Sequence, residues 1–176
     1  MTDSRGGSYD VAIVGAGPVG SLCAIAHARK GYRVALFEAN PAASKRLAGE
    51  WLHPPAARIL RELGLSVSGD AQSASGKGFV VFPEDREHPI VIPYSNGTHG
   101  LVCDHATLVS RLREAVESEP GIDFRLHTRV SEVEDGRLSY VQNGASEFVD
   151  AERIVGADGR SSVVRRSLGL ATRSKM

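Results

Sequence analysis

The sequence predicts a three-layer α/β fold in which a parallel sheet is combined with an antiparallel β-meander. Near the start of the 176-residue chain, an apolar run at 11–14, a glycine-rich turn, a helix-like segment and a second apolar run at 34–37 follow one another. This order is typical of a strand–turn–helix–strand unit of a parallel sheet. Near the end, Asp135-Gly136 and Asn143-Gly144 separate three alternating runs. Such dipeptides favour tight hairpins, and these runs therefore predict the meander.

The turn at 15–20 reads GAGPVG and has the spacing of a nucleotide-binding glycine motif. Gly15 permits a tight turn off the strand, Gly17 lets a diphosphate approach the backbone, and Gly20 allows the helix to pack closely. The helix start offers unpaired N–H groups to an anion. Pro18 is tolerated in the first helical turn because its missing N–H would have no helical partner. We therefore expect a dinucleotide at this turn.

Glu38 ends the second strand, about where a ribose-binding acid belongs. Its carboxylate would accept hydrogen bonds from ribose hydroxyls and would repel a 2′-phosphate, which favours FAD or NAD over NADP. The alternative, a glycine turn without a ligand, is disfavoured by the flanking strand, helix and acid. The intervening helix is predicted to end at Gly31. Its buried face is predicted from the apolar residues at helical spacing, which are Val19, Leu22, Cys23 and Ala26.

Charge, cysteine content and hydropathy limit which classes of protein this chain could belong to. The formal net charge is zero, which gives no indication of nucleic acid or an anionic membrane as a partner. Two cysteines are too few for a disulfide framework, and no apolar run reaches membrane-spanning length. The first residues lack the features of a signal peptide. We expect a cytoplasmic protein whose residues 1–8 form a disordered tail.

The middle of the chain is predicted as one helix between loops. The helix begins at Pro54 and Pro55 and ends at Gly64. Residues 39–49 and 66–77 are predicted as loops, the second because it is small and polar. The buried face of the helix is predicted from its apolar spacing and consists of Ala56, Ile59, Leu60 and Leu63.

A pair of strands and a longer helix follow. The strands are predicted at 78–82 and 89–93, joined by a charged turn, with a loop at 94–100. Asp104 is a suitable N-cap for a helix that runs to about residue 118. Its buried face is predicted at Leu108, Leu112 and Ala115.

The remainder is predicted as strands with one short helix. Asp158 and Gly159 form the turn before that helix, and Gly169 stops it. The first of the strands is expected to join the parallel sheet, and the next three form the meander. The predicted order is strands at 122–126, 130–134, 138–142, 147–149 and 153–157, then the helix at 161–168.

Four segments stand in an order that resembles a known family. They are the GAGPVG turn with Glu38, RLAGEWLHPPAARILRELGL, DHATLVSRLREAV and GADGRSSVVRRSLGL. Together they resemble the N-terminal part of class A, para-hydroxybenzoate hydroxylase-like FAD-dependent monooxygenases. The pattern R-x-x-G-E-x-L-x-P with a downstream L-x-x-L-G-L is similar to the squalene epoxidase branch. The resemblance implies a Rossmann-like FAD/NAD(P)-binding three-layer fold with a fragment of a substrate-domain sheet.

The resemblance also implies which residues hold FAD. Glu38 would bind the adenosine ribose beside Ala39, and Val130 would offer backbone contacts to adenine. The residues expected at the diphosphate and flavin side are Gly15, Ala16, Gly17, Pro18, Val19, Gly20, Arg46, Arg113, Asp158 and Gly159.

Three of these residues have plain structural alternatives. Arg46 is otherwise a solvated loop charge. Arg113 is equally able to pair with Glu117 four residues later. Asp158 with Gly159 is otherwise a simple turn, although its position after a buried strand favours a function.

The resemblance implies FAD-dependent monooxygenation, either epoxidation or hydroxylation of a small apolar polyketide, terpenoid or aromatic substrate, with NADPH or NADH as reductant. Flavin supplies the oxidising chemistry in this family, and the protein therefore needs no catalytic side chain; none is predicted, and no metal site. The alternatives are half of a flavin-dependent halogenase or isoprenoid reductase, and a non-catalytic nucleotide-binding remnant. Trp51, His53 and His105 are expected to be packing or surface residues.

The family is normally about twice as long, and its second Gly-Asp motif is missing here. We therefore expect a fragment or one half of an enzyme, with a second chain as partner and weak or no FAD binding by this chain alone. The expected organisation is an FAD-binding part at 9–77, partial substrate-domain strands at 78–100, a continued FAD-binding part at 101–170 and a tail at 171–176.

Overall fold

The computed structural model describes residues 8–42, 48–66 and 74–170. Its elements follow the chain in the order β1 (Ser8–Val14), α1 (Pro18–Ala28), β2 (Val34–Glu38), β3 (Gly49–Leu52), α2 (Pro54–Glu62), β4 (Ala74–Gly76), β5 (Gly78–Val81), β6 (Ile90–Pro93), β7 (Gly100–Asp104), α3 (His105–Ser118), β8 (Ile122–Leu126), β9 (Arg129–Glu134), β10 (Arg137–Gln142), β11 (Ala145–Gly156) and α4 (Val163–Ser167). The chain divides into two compact units, with boundaries between residues 43 and 44 and between 111 and 112. The first unit contains both chain ends, and the second contains 44–111.

The first unit is built on a six-stranded sheet in the order β8-β2-β1-β11-β10-β9. Strands β8, β2, β1 and β11 are parallel, whereas β11, β10 and β9 are antiparallel. The predicted parallel sheet and the predicted meander are both confirmed. They share β11, which pairs with β10 through its first half and with β1 through its second half.

The prediction of two separate strands at 147–149 and 153–157 is wrong. One strand, Ala145–Gly156, runs through both segments. The intervening residues contain no glycine or proline that would break an extended backbone, and Asp150 pairs with a strand on each side.

The two faces of the parallel strands carry different layers. Because side chains alternate along a strand, one face contains Val11, Ile13, Val34 and Leu36, and α1 packs on β1 and β2. The other face carries Ala12, Val14, Ala35 and Phe37, which cluster with meander residues Val130, Leu138, Tyr140 and Val149. The predicted three-layer fold, helix on sheet on meander, is therefore confirmed.

The predicted buried face of α1 is wrong. Val19 is 73% exposed, and Cys23 is only partly buried. The helix instead buries a stripe of mainly small residues, Gly20, Ser21, Ala24, Ile25 and Ala28. Small side chains let the helix axis approach the sheet closely, and that advantage outweighs the apolar side chain of Val19.

A polar network connects the parallel strands to the meander. The Arg125 guanidinium donates to Asp123 Oδ2 from Nε (2.9 Å) and Nη2 (2.8 Å), and also to the hydroxyls of Tyr9 and Tyr140. Tyr9 donates to Asp123, and Tyr140 donates to Glu147 at 2.7 Å. Burial alone raises the pKa of the Asp123 carboxyl, but the hydrogen bonds from Arg125 and Tyr9 outweigh it, and the pKa falls below its usual value. Burial and the bond to Glu147 raise the pKa of Tyr140 to about 12.

The second unit contains a three-stranded antiparallel sheet, β3-β7-β4, that the sequence did not predict. Its strands fall partly in segments interpreted as loops, because each is short and lacks a clear alternation. The predicted hairpin is confirmed as β5 and β6, and the helix at Pro54 is confirmed as α2. The predicted buried face of α2 is partly wrong, since it buries Ala57 and Leu60 whereas Ile59 is 44% exposed.

Across the described ranges, every helix is too short or too polar to traverse a bilayer.

Candidate functional site

The glycine turn lies between β1 and α1 and leaves no room for side chains at two positions. Gly15 has φ +99°, and a Cβ placed there would lie 2.5 Å from the carbonyl oxygen of Ala157. A Cβ on Gly20 would lie 1.8 Å from the carbonyl oxygen of Gly15. The Gly15 N–H donates to the carbonyl of Phe37 at 2.8 Å. These contacts hold the turn against the ends of β2 and β11.

Gly17 differs from the other two glycines because it faces open space. A Cβ placed on it would meet nothing within 4 Å, and its φ of −76° is accessible to any residue. It is the N-cap of α1, no side chain caps the helix, and the first turn contains no acid. Pro18 begins the helix, and Val19 is exposed beside it. An anion could approach the helix N-terminus here without displacing a protein group.

The Glu38 carboxylate lies behind the turn and is engaged within the protein. Its Oε2 accepts the Ala16 N–H at 2.9 Å, and its Oε1 accepts the Asn40 N–H at 2.7 Å. Arg113 Nη2 lies 3.2 Å from Oε2. A carboxylate has about four lone-pair sites, and these three contacts leave acceptor capacity on Oε1. Ala39, the next residue, is exposed.

Arg113 is 8% exposed and binds three backbone carbonyls besides Glu38. Its Nε donates to Ala16 at 3.2 Å, Nη1 to Pro41 at 3.1 Å and Nη2 to Asn40 at 3.4 Å. These partners do not include Glu117, the structural alternative that the sequence offered, and the flavin contact stays a prediction. A lone arginine on a predicted helix gives no signal for such long-range partners.

Asp158 follows β11 beside the glycine turn, and its Cα would lie 3.0 Å from a Cβ on Gly15. Its Oδ2 accepts the Val163 N–H at 2.6 Å, so this carboxylate caps the start of α4. Its Oδ1 is buried and, among the described residues, has no hydrogen-bond partner. Gly159 is exposed with φ +73°. The predicted helix at 161–168 is shorter than expected because Ser162 caps α4, accepting the Arg165 N–H.

Two other predicted residues lie elsewhere. Val130 is buried in β9, where it pairs with Tyr140 of β10. Two residues earlier, the Thr128 N–H donates to the Glu38 carbonyl at 2.9 Å. Arg46 lies outside the described residues. The structure therefore brings together the glycine turn, Glu38, Arg113 and Asp158 at the carboxyl ends of β1, β2 and β11.

The second unit contains a chain of hydrogen-bonded side chains that the sequence does not predict. Trp51 Nε1 donates to the Tyr94 hydroxyl at 2.7 Å, and that hydroxyl lies 2.7 Å from His53 Nδ1. These side chains and Phe79 form an aromatic cluster in which Trp51 and Phe79 stack at 5.1 Å. His105, expected to be a packing or surface residue, lies 2.5 Å from Glu50 through Nδ1. The sequence carries no signal for these contacts because the partners are distant along the chain.

Among the described residues, no group of three or more histidine, cysteine or acidic side chains could hold a metal ion. The two cysteines, Cys23 and Cys103, are unpaired.

Comparison with known proteins identifies similar chains. The sequence profile described as "FAD binding domain" matches residues 8–176. Squalene monooxygenase of Mus musculus is 29% identical over 171 residues, covering 90% of this chain and 30% of that protein. Kynurenine 3-monooxygenase of Salinispora arenicola is 33% identical over 177 residues, covering 90% and 37%. The chain thus spans about a third of the length of these relatives.

Two solved structures have the same fold over nearly all of the chain. Pseudomonas aeruginosa PqsL, crystallised with 2-aminobenzoylacetate, has a TM-score of 0.81 at 20% identity, covering 97% of this chain and 48% of that one. The flavin-dependent brominase Bmp2 has a TM-score of 0.77 at 28% identity, covering 95% and 42%.

Proposed function

The chain belongs to the FAD binding domain family, and from this premise we propose that it holds FAD at the glycine turn as the nucleotide-binding part of an FAD-dependent monooxygenase. The observation that carries the proposal is the open approach to Gly17, where α1 presents an N-terminus that no side chain caps. The similarity to squalene monooxygenase and kynurenine 3-monooxygenase supports the reaction type. The chain spans about a third of the length of these relatives, and the monooxygenase activity of the whole enzyme is therefore part of the proposal.

The residues present fit the cofactor. We assign the diphosphate to the backbone N–H groups of the first turn of α1, which Gly17 leaves accessible. The remaining acceptor capacity of Glu38 Oε1 suits a ribose hydroxyl, and the buried, unpartnered Asp158 Oδ1 suits a donor beside the turn. The other residues assigned to the cofactor are Gly15, Ala16, Pro18, Val19, Gly20, Ala39, Arg46, Arg113, Val130 and Gly159.

Arg113 has a positioning role in this proposal. Its guanidinium holds the Ala16 carbonyl while Glu38 holds the Ala16 N–H, so one peptide on each side of that residue is fixed. Fixing these peptides orients the turn before the ligand arrives and lowers the entropy cost of binding.

When bound, FAD supplies the redox chemistry, with NADPH or NADH as reductant and O2 as the source of the transferred oxygen. The protein then needs to bind, orient and exclude water, and no catalytic side chain is assigned. We expect a small apolar organic substrate that undergoes epoxidation or hydroxylation. Residues 78–100 are assigned to part of a substrate domain. We expect a second chain to supply the remaining half of the enzyme, and the protein to be located in the cytoplasm.

A flavin-dependent halogenase is the second candidate. The 28% identity to the brominase Bmp2 favours it. Bromide dependence of product formation, measured with the chain and the polypeptide that completes it, separates the two reactions. A monooxygenase forms product without halide, whereas a halogenase does not.

The deciding experiment is a titration of the full chain with FAD, followed by quenching of flavin fluorescence. We expect weak, saturable binding that Gly17→Ala lowers about tenfold, because the added methyl lies where the diphosphate approaches. Gly49→Ala is the matched control, since Gly49 also faces open space without positive φ and is not assigned to the site. Equal binding by wild type and Gly17→Ala, or no binding by wild type, would contradict the proposal.

A further inference from the structure

The second unit contains a cavity of about 820 Å³ between the start of α2 and the turn at 94–99. This volume falls within the range of about 300 to 1,000 Å³ that small-molecule sites occupy. Its walls are mainly apolar and include Pro54, Pro55 and Tyr94. Among the described residues, none of those assigned to the cofactor above lines it.

Hydrogen-bond chemistry determines which ring nitrogen of the lining residue His53 carries a proton. The Trp51 indole nitrogen is only a donor, so the Tyr94 oxygen is the acceptor in the bond between them. The Tyr94 hydroxyl proton is then directed at His53 Nδ1, which lies 2.7 Å away and accepts it. In the neutral imidazole the proton must reside on Nε2. His53 therefore carries an N–H donor on the nitrogen that Tyr94 does not engage.

Two cations border the same space. Arg58 and Arg61 line the cavity beside His99, and no carboxylate is among its described lining residues. Arg58 Nε lies 3.6 Å from Glu62 Oε1, and both side chains are about two-thirds exposed, so this ion pair is weak. Within the described ranges, the Arg61 guanidinium has no hydrogen bond or ion pair.

We propose that this cavity binds an organic carboxylate, with its apolar body against Pro54, Pro55 and Tyr94 and its carboxylate on Arg61 and Arg58. His53 Nε2–H donates a further hydrogen bond to the acid. An apolar pocket with a few convergent polar groups is the usual form of a small-molecule site, and a guanidinium matches a carboxylate in geometry and charge. The binding of this carboxylate does not rest on the proposed function.

Trp51 makes the proposal measurable. It is the only tryptophan of the chain, and its indole N–H is bonded to the cavity residue Tyr94. The full chain is titrated with 4-cyclohexylbutyrate and, separately, with 4-cyclohexylbutan-1-ol, which share an apolar body and absorb little where tryptophan is excited. We expect both to change the Trp51 emission, and the acid to bind about tenfold more tightly because its oxygens are charged.

Arg61→Gln tests the cation, with Arg58→Gln as a second variant. Each is expected to weaken binding of the acid about fivefold and to leave binding of the alcohol within about twofold. Arg86→Gln is the matched control, an arginine of the same unit that lies in the β5–β6 turn and does not line the cavity. Circular dichroism checks that each variant is folded.

Three outcomes would overturn the proposal. They are equal affinity for acid and alcohol, an equal loss of acid binding in Arg86→Gln and Arg61→Gln, and no response of Trp51 to either ligand. None of these outcomes concerns FAD, whose titration at the glycine turn is a separate measurement. Failure of this proposal is therefore distinguishable from failure of the proposed function.

Discussion

Arg113 and Glu38 form an ion pair in the first unit, with 3.2 Å between Nη2 and Oε2, although 75 positions separate them in the chain. Both side chains are nearly buried, at 10% and 11% exposure. The pair encloses Ala16, because Glu38 accepts its N–H and Arg113 donates to its carbonyl. The conformation of the glycine turn therefore depends on a helix that begins at residue 105.

Arg113→Lys is expected to lower the free energy of unfolding by about 2 kcal/mol, because an ammonium cannot reach the four acceptors that the guanidinium fork serves. We also expect weaker FAD binding, since the Ala16 peptides lose their support. Urea unfolding and FAD titration measure the two effects. Arg129→Lys, at an exposed position of β9 in the same unit, is the control and should change stability by less than about 0.5 kcal/mol. A stable Arg113→Lys variant would show that the pair does not support the turn.

Gly20→Ala is expected to destabilise the first unit by about 3 kcal/mol, because its Cβ would overlap the Gly15 carbonyl oxygen and backbone cannot yield cheaply. Gly17→Ala should keep stability within about 0.5 kcal/mol, since its Cβ enters open space. Thermal or urea unfolding of the two variants checks the contrast. If both variants unfolded at the same denaturant concentration, the close approach of α1 to the turn would be wrong.

The Asp123 carboxyl makes the free energy of unfolding depend on pH in the acidic range. Burial opposes ionisation of this carboxyl, but the bonds from Arg125 and Tyr9 outweigh that effect and hold its pKa below the usual value. A carboxyl with a lowered native pKa contributes stability above its unfolded pKa of about 3.9 and loses that contribution as pH falls through the native pKa. Asp123→Asn should therefore cost about 1 kcal/mol at neutral pH and progressively less below about pH 4. Urea midpoints measured from neutral pH downward test this, and a constant gap would refute it.

The Tyr140 phenol makes the free energy of unfolding depend on pH in the alkaline range. Its pKa is raised to about 12, first by burial and then by the bond to Glu147. The native state therefore favours the neutral phenol, which stabilises fully below the unfolded pKa of about 10 and loses this effect as pH rises through about 12. Ultraviolet titration of tyrosinate should show a late phase in the wild type that Tyr140→Phe lacks. A Tyr140→Phe variant that retains the late phase would place that pKa on another tyrosine, with Tyr9 the first to examine because its pKa is also raised.

The local elements of the first unit could be predicted because their signals are short-range. The spacing of the glycines predicts the turn, the two Gly-containing dipeptides predict hairpins, and Asp104 caps α3 as expected by accepting the Thr107 N–H at 3.0 Å. The face of α1 was predicted incorrectly because hydropathy favours Val19, whereas close packing on a sheet favours small residues such as Ser21 and Ala24.

The second unit was harder to predict. Strands of three to five residues carry too few alternations to distinguish them from loops, which is why β3, β4 and β7 were missed. The triad of Trp51, Tyr94 and His53 was missed for a different reason. Each of these residues is unremarkable in its own segment, and only their hydrogen bonds make them a candidate site.

The strand–turn–helix–strand unit, the meander and the family could all be predicted from the sequence, because helical spacing, hairpin dipeptides and the glycine motif act over a few residues. Only the folded chain shows that β11 joins both parts of the sheet, that Arg113 and Glu38 hold Ala16, and that the Tyr94 hydroxyl links Trp51 to His53 beside a cavity. The physical reason is that these contacts join residues far apart in the chain, where a partner is chosen by packing and hydrogen-bond geometry.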